Sequence, residues 1–121
     1  MNIIVDVMGG DNAPLEILKG CIQAVSEYNM DLILVGPKTM IEERIKNLGA
    51  PLDRFKIIDA QEVIDPDEAP VAAIRRKKGS SMVKGFKHLR ENPNGVFISA
   101  GSTGALMAGS LLRVGRLPNI D

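Results

Sequence analysis

Short β-branched runs, most of them closed by glycine or proline and followed by an amphipathic helical stretch, recur along this chain. That alternation constrains the fold more than any other feature, because it is the pattern of parallel strands joined by helical crossovers. The first run, Asn2 to Val7, is closed by Gly9-Gly10 and reads as a strand buried on both faces of a parallel sheet. Asp11 or Asn12 is placed to cap a helix whose first turn accommodates Pro14. Leu15, Leu18, Ile22 and Val25 then recur at intervals of three and four, predicting an amphipathic helix to about Tyr28.

Further along, Asp31 to Val35 predicts a second strand, and Ile41, Ile45 and Leu48 mark a short helix stopped by Gly49. Phe55 to Ile58 reads as a third strand. Residues 66–70 open a helical stretch carrying Val71 and Ile74, broken at Gly79 and restarted at Ser80 or Ser81, with Met82, Val83, Phe86 and Leu89 on one face. A turn at Asn92-Pro93-Asn94-Gly95 precedes a fourth strand, Val96 to Ser99. The last helix follows Ala100 to Gly104 and carries Leu106, Met107, Leu111, Leu112 and Val114. The fold class is therefore α/β, a three-layer sandwich with a mostly parallel sheet and right-handed crossovers.

At 121 residues the chain is one domain at most, since domains usually run to roughly 100–200 residues. Leu117 to Asp121 reads as a loop heading toward a further strand, so the domain is expected to be incomplete and to continue beyond residue 121. Fifteen basic residues balance fifteen acidic ones, and three Phe with one Tyr offer few stacking rings, which argues against nucleic-acid binding. The single Cys21 has no internal disulfide partner, and no Cys/His cluster suggests a metal; we expect a reducing, cytoplasmic setting and no cofactor. The N-terminal segment has no basic leader, and its apolar run is broken by Asp6, so it reads neither as a signal peptide nor as a membrane span.

Two glycine-rich turns, Met8 to Asn12 and Ala100 to Gly104, follow strands and precede helices. In an open α/β sheet, ligands bind beyond the carboxyl ends of the strands, where glycines admit an anion close to backbone N–H groups. The second turn adds the hydroxyls of Ser99, Ser102 and Thr103 and contains no carboxylate, making it the better phosphate candidate. Neither turn matches the dinucleotide or Walker glycine patterns, so no nucleotide is specified, and tight packing alone would also explain them. Asp11 either caps the helix or orients a substrate, and Asp6, inside the first strand, needs a partner to offset its desolvation.

Charge is balanced only on average. Residues 59–68 hold Asp59, Glu62, Asp65, Asp67 and Glu68 without a base, whereas 75–90 hold Arg75, Arg76, Lys77, Lys78, Lys84, Lys87 and Arg90 without an acid. The cations Arg75 to Lys78 stand before a helix start, where they can serve a phosphate or an acidic partner, or pair with the acidic stretch. His88 reads as a surface residue, and Cys21 falls on the apolar face of the first helix. Without a Ser/His/Asp set, a metal set or a redox pair, an enzyme built this way would position reactants and stabilise charge.

DVMGGDNAP at 6–14, EVI at 62–64, EAPVAAIRRKKGSSM at 68–82 and SAGSTGALMAGSLLRVGRL at 99–117 closely resemble, in order, the N-terminal part of the bacterial PlsX family. These are acyl-acyl-carrier-protein:phosphate acyltransferases, with a Rossmann-like, phosphotransacetylase-like fold. The resemblance implies transfer of a long-chain acyl group from acyl carrier protein to inorganic phosphate, giving acyl phosphate for phospholipid synthesis. It further implies a cytoplasmic homodimer with peripheral membrane association. Phosphate is itself the nucleophile in that chemistry, so no covalent Ser or Cys is required. Carried onto this sequence, Asp11 and Ser102 are the candidate catalytic residues. Gly9, Gly10, Asn12, Gly101, Thr103 and Gly104 would build the substrate site, and Arg75, Arg76, Lys77 and Lys78 would bind phosphate or dock the acidic carrier.

One departure from the family pattern matters. The family usually reads SAGNTGAL, and here Ser102 stands in place of the Asn, with a shorter reach and one donor hydrogen where the amide has two. The alternatives to this function are a transfer from acyl-coenzyme A, a non-catalytic phosphate- or nucleotide-binding module, and a fragment inactive by itself.

Overall fold

The computed structural model describes residues 2–115, so the expected loop at 117–121 lies outside the described residues. Four strands form a sheet: β1 (Ile3–Asp6), β2 (Leu32–Gly36), β3 (Phe55–Asp59) and β4 (Val96–Ile98). Their order is β3-β2-β1-β4, and every pairing is parallel, with Ile4 opposite Ile33 on one side and Phe97 on the other. Between them lie α1 (Leu15–Tyr28), α2 (Lys38–Asn47), α3 (Pro70–Arg76) and α4 (Ser81–Glu91), and α5 (Thr103–Gly109) follows β4. The alternation read from the sequence is thus the observed architecture.

Two-residue periodicity in the strands divides the core between the faces of the sheet. Val5, Leu32 and Leu34 pack against Leu18, Cys21 and Val25 of α1 and against Ile41 and Ile45 of α2. On the opposite face, Ile4 and Val35 meet Leu89 of α4. A further cluster joins Ile74 of α3, Met82, Val83 and Phe86 of α4, and Ala105 of α5. The result is three layers, helix on sheet on helix.

Helix ends differ in how they are held. Ser80 is the N-cap of α4 and its hydroxyl accepts from the Val83 N–H at 3.1 Å, as the restart at Ser80 or Ser81 requires. The expected cap on α1 is absent: Pro14 precedes the helix and no side chain accepts a hydrogen bond there, so Asp11 and Asn12 do not cap it. A missing cap costs about 1 kcal/mol, whereas full burial of a side chain such as Leu18 contributes about 1.5–3 kcal/mol. Packing therefore decides where α1 lies. For α2 the cap comes from a distant strand, since the Asp59 carboxylate accepts from the Lys38 backbone N–H at 2.9 Å. That bond, ahead of the Gln61 amide and the nearby lysines, holds the Asp59 carboxyl below its ordinary value.

Some expected apolar faces are solvated. Leu48 lies just past α2 and is exposed, as is Val71 on α3. After β4 the helix changes character at Gly109, continuing as one wide turn over Ser110–Val114, and Met107, Leu111, Leu112 and Val114 are exposed. Among the described residues, no helix is long and apolar enough to cross a membrane.

Candidate functional site

The chain crosses from β3 at one end of the sheet to β4 on the far side of β1. The order of strands therefore reverses between β1 and β4, and their carboxyl ends frame the crevice in which open α/β sheets bind ligands. Both glycine-rich turns leave the sheet at this place.

Asp6, the last residue of β1, is 3% exposed and accepts hydrogen bonds at both carboxylate oxygens. Oδ1 takes the Met8 N–H at 3.0 Å, and Oδ2 takes the Ser99 hydroxyl at 2.9 Å. Ser99 Oγ in turn accepts the Gly101 N–H at 3.2 Å. Ser99 has one hydrogen, and with its oxygen accepting from Gly101 that hydrogen goes to Asp6. Ser99 is thus committed, and it cannot donate to a ligand as the sequence suggested.

The backbones of the two turns touch. A Cβ on Gly9 would sit 2.7 Å from the Gly101 nitrogen and 2.9 Å from Ser99 Oγ, a space that excludes any side chain. Gly10 has φ of +97°, a conformation that favours glycine. Gly104 serves a different contact, since its Cβ would meet Pro70 Cγ at 2.7 Å where α5 crosses α3.

Between the turns lies a cavity of about 350 Å³. Met8, Gly10 and Asp11 form one wall, residues 100–103 another, and the loop 63–66 a third. Of the residues singled out from the sequence, Gly10, Asp11, Gly101, Ser102 and Thr103 line this space. Gly9, packed on the Gly101 backbone, and Gly104, packed on the Pro70 ring, are outside the lining, and Asn12 contributes its carbonyl to the Glu16 N–H. Ser102 is the N-cap of α5, its hydroxyl accepting from Ala105 N–H at 3.2 Å, which leaves its own hydrogen available to a ligand.

The basic block is not in the cavity lining. Arg75, Arg76 and Lys78 are exposed, whereas Lys77 is paired with Glu68 and donates to the Val63 carbonyl at 2.7 Å. That pairing fastens the acidic stretch to the basic one, and the Lys77 ammonium is the main reason the Glu68 carboxyl lies below its ordinary value. Two features escaped the sequence reading: Asp65 joins Asp11 in the lining, and Asp6 has its partner in Ser99. The carboxylate-free second turn therefore shares its cavity with two carboxylates.

Other groups read from the sequence lie apart. A cavity of about 620 Å³ opens near the amino ends of the strands, beside His88, which is half-buried. Within it Arg54 donates to Asp31, and neither glycine-rich turn reaches it. Burial pushes the Cys21 thiol up to about 11, leaving it inert as a nucleophile at neutral pH. Among the described residues, no group of His, Cys, Asp and Glu is arranged to hold a metal ion.

A family model described as "Fatty acid synthesis protein" matches residues 1–121. The chain is 46% identical to a phosphate acyltransferase of Halothermothrix orenii over 121 residues, covering 99% of this chain and 36% of that protein. Similar proteins of the same name occur in Thermoanaerobacter pseudethanolicus, at 45% identity over 100% of this chain and 36% of the relative, and in Clostridioides difficile, at 43% with the same coverage. The chain thus spans about a third of the length of these relatives. With the four motifs in order and the match running through every residue, the chain belongs to the fatty acid synthesis protein family, the PlsX family that its motifs resemble.

Proposed function

We propose that this chain is the N-terminal part of a single-domain acyltransferase that moves a long-chain acyl group from acyl carrier protein to inorganic phosphate. The observation that carries this reading is the glycine-walled cavity at the reversal point of the sheet, in a chain whose relatives are named phosphate acyltransferases. A phosphate oxygen attacks the thioester carbonyl, a C–O bond forms, the C–S bond breaks, and the carrier leaves as its thiol. No enzyme nucleophile is needed, and the work of the site is to hold an anion against a thioester and stabilise the developing oxyanion.

In this account Gly10, Gly101 and Thr103 hold phosphate, while Gly9, Asn12 and Gly104 shape the walls. The free hydrogen of Ser102 is directed at an oxyanion. Asp11 takes the proton that phosphate loses on attack and passes it to the departing thiolate. Two carboxylates, Asp11 and Asp65, line the cavity without a cation, so the charge that balances a bound dianion comes from outside its walls. The exposed Arg75, Arg76 and Lys78 supply a cationic surface for the acidic carrier protein, and Lys77 braces it through Glu68. The acyl phosphate then enters phospholipid synthesis, in a cytoplasmic homodimer that meets the membrane at its periphery.

The test is an assay of the full-length protein with inorganic phosphate and either acyl carrier protein or coenzyme A as the acyl donor. Acyl phosphate formed from the carrier-bound donor supports the reading. Activity confined to the coenzyme A donor replaces it with a coenzyme-dependent phosphotransacylase, and no acyl phosphate from either donor rejects the catalytic reading.

A further inference from the structure

One buried carboxylate anchors both walls of the cavity. Met8 in the first turn gives its N–H to Asp6 directly, and Gly101 in the second gives its N–H through the Ser99 hydroxyl. Met8 and Gly101 both line the cavity, and Asp6 and Ser99 do not. The polarity of this chain of bonds is fixed, since Asp6 accepts twice and Ser99 has one hydrogen. A buried polar group of this kind costs stability unless every partner is present, so the pair is a demanding way to join two strands that already share a ladder.

We infer that Asp6 and Ser99 are positioning residues, which set the distance between the two glycine turns to fit a phosphate group. This rests on the phosphate reading of the cavity. Gly9 makes the spacing narrow by letting the turns touch, and the Asp6–Ser99 bond keeps β4 from sliding away from β1. Neither side chain touches phosphate in this account. A turn displaced from its neighbour no longer presents its backbone N–H groups to the anion, and a tenfold change in affinity is only about 1.4 kcal/mol, so an indirect tie can move the phosphate KM.

The experiment measures initial rates in the full-length protein with phosphate and acyl donor varied separately. Ser99→Ala is expected to raise the KM for phosphate about tenfold or more while moving the KM for the acyl donor less than about twofold. Ser99→Thr, which keeps the hydroxyl, should return the phosphate KM close to wild type. Asp6→Asn is nearly isosteric but cannot accept at both positions, and it should also raise the phosphate KM; it stands in if Ser99→Ala does not fold. A lower kcat at unchanged phosphate KM in these variants would mean a merely structural pair and would overturn the inference. Wild-type protein that makes no acyl phosphate removes the functional reading together with this inference, whereas an active wild type with unmoved variants removes the inference alone.

Discussion

β1 and β4 lie side by side and each ends in a glycine-rich turn, yet they hold those turns by different means. β1 is central, with Ile4 fully buried and neighbours on both edges. β4 is three residues long and lies at the edge of the described sheet, with Val96 42% and Ile98 52% exposed. The first turn therefore leaves a strand fixed by hydrophobic burial, with the Asp6 bond to the Met8 N–H added. The second depends on a few specific contacts: Ser99 to Asp6, Gly104 against Pro70, and Phe97 edge-on to Phe86 with ring centroids 5.1 Å apart. A cavity walled by one turn of each kind is only as well formed as its weaker wall.

The strongest way to break the contrast is Phe86→Ala. Phe86 is 2% exposed, packs on Phe97 and fills the space that Gly109 of α5 leaves by having no side chain. Its loss should cost about 3–5 kcal/mol in urea unfolding. Amide exchange should quicken in β4 and α5 more than in β2 and β3, and an equal rise in all four would mean that β4 is not held separately.

Gly9→Ala acts on the junction itself, driving a methyl group into the Gly101 nitrogen and Ser99 Oγ. We expect a loss of about 1–3 kcal/mol, accompanied by a fall in phosphate turnover larger than any change in acyl-donor affinity. Wild-type phosphate kinetics in this variant would show that the turns need not touch.

A smaller effect separates the basic block from the cavity. The Glu68 carboxyl is lowered by its hydrogen bond from Lys77, so the unfolded chain binds that proton more readily than the folded one. The contribution is present at neutral pH and is lost as pH falls below the ordinary carboxyl value of 4.5 and through the lowered folded value. Lys77→Met should flatten that part of the acid limb of stability, with phosphate KM unchanged. A shifted phosphate KM would bring Lys77 into the site after all.

The smallest effect is chemical. With its thiol pushed up to about 11 and buried on α1, Cys21 should react with iodoacetamide at pH 8 far more slowly than a free thiol, and as fast as one once urea unfolds the protein. Rapid labelling of the native protein would show α1 opening from the sheet.

The division between legible and hidden features follows the range of the interactions. Strands and helices were legible because the signals are local: Leu18 and Val25 recur at helical spacing, and Ile41 and Ile45 point to the same sheet. Both turns were legible because glycines after a strand mark close approach. The partner of Asp6 was hidden because it is 93 residues away and serine gives no periodic signal. For Asp11, a capping preference was overridden by Pro14 standing before the helix. Met107, Leu111 and Leu112 carry a helical apolar pattern, but a pattern does not name what covers it, and they are exposed.

Phosphate is expected to bind where β1 and β4 end, between turns held by Asp6 and Ser99. A crystal structure of the full-length protein with phosphate bound should show the anion in the cavity between Gly10 and Ser102, with the Asp6–Ser99–Gly101 hydrogen bonds intact. Phosphate seated on Arg75, Arg76 and Lys78 with this cavity filled by water would contradict it.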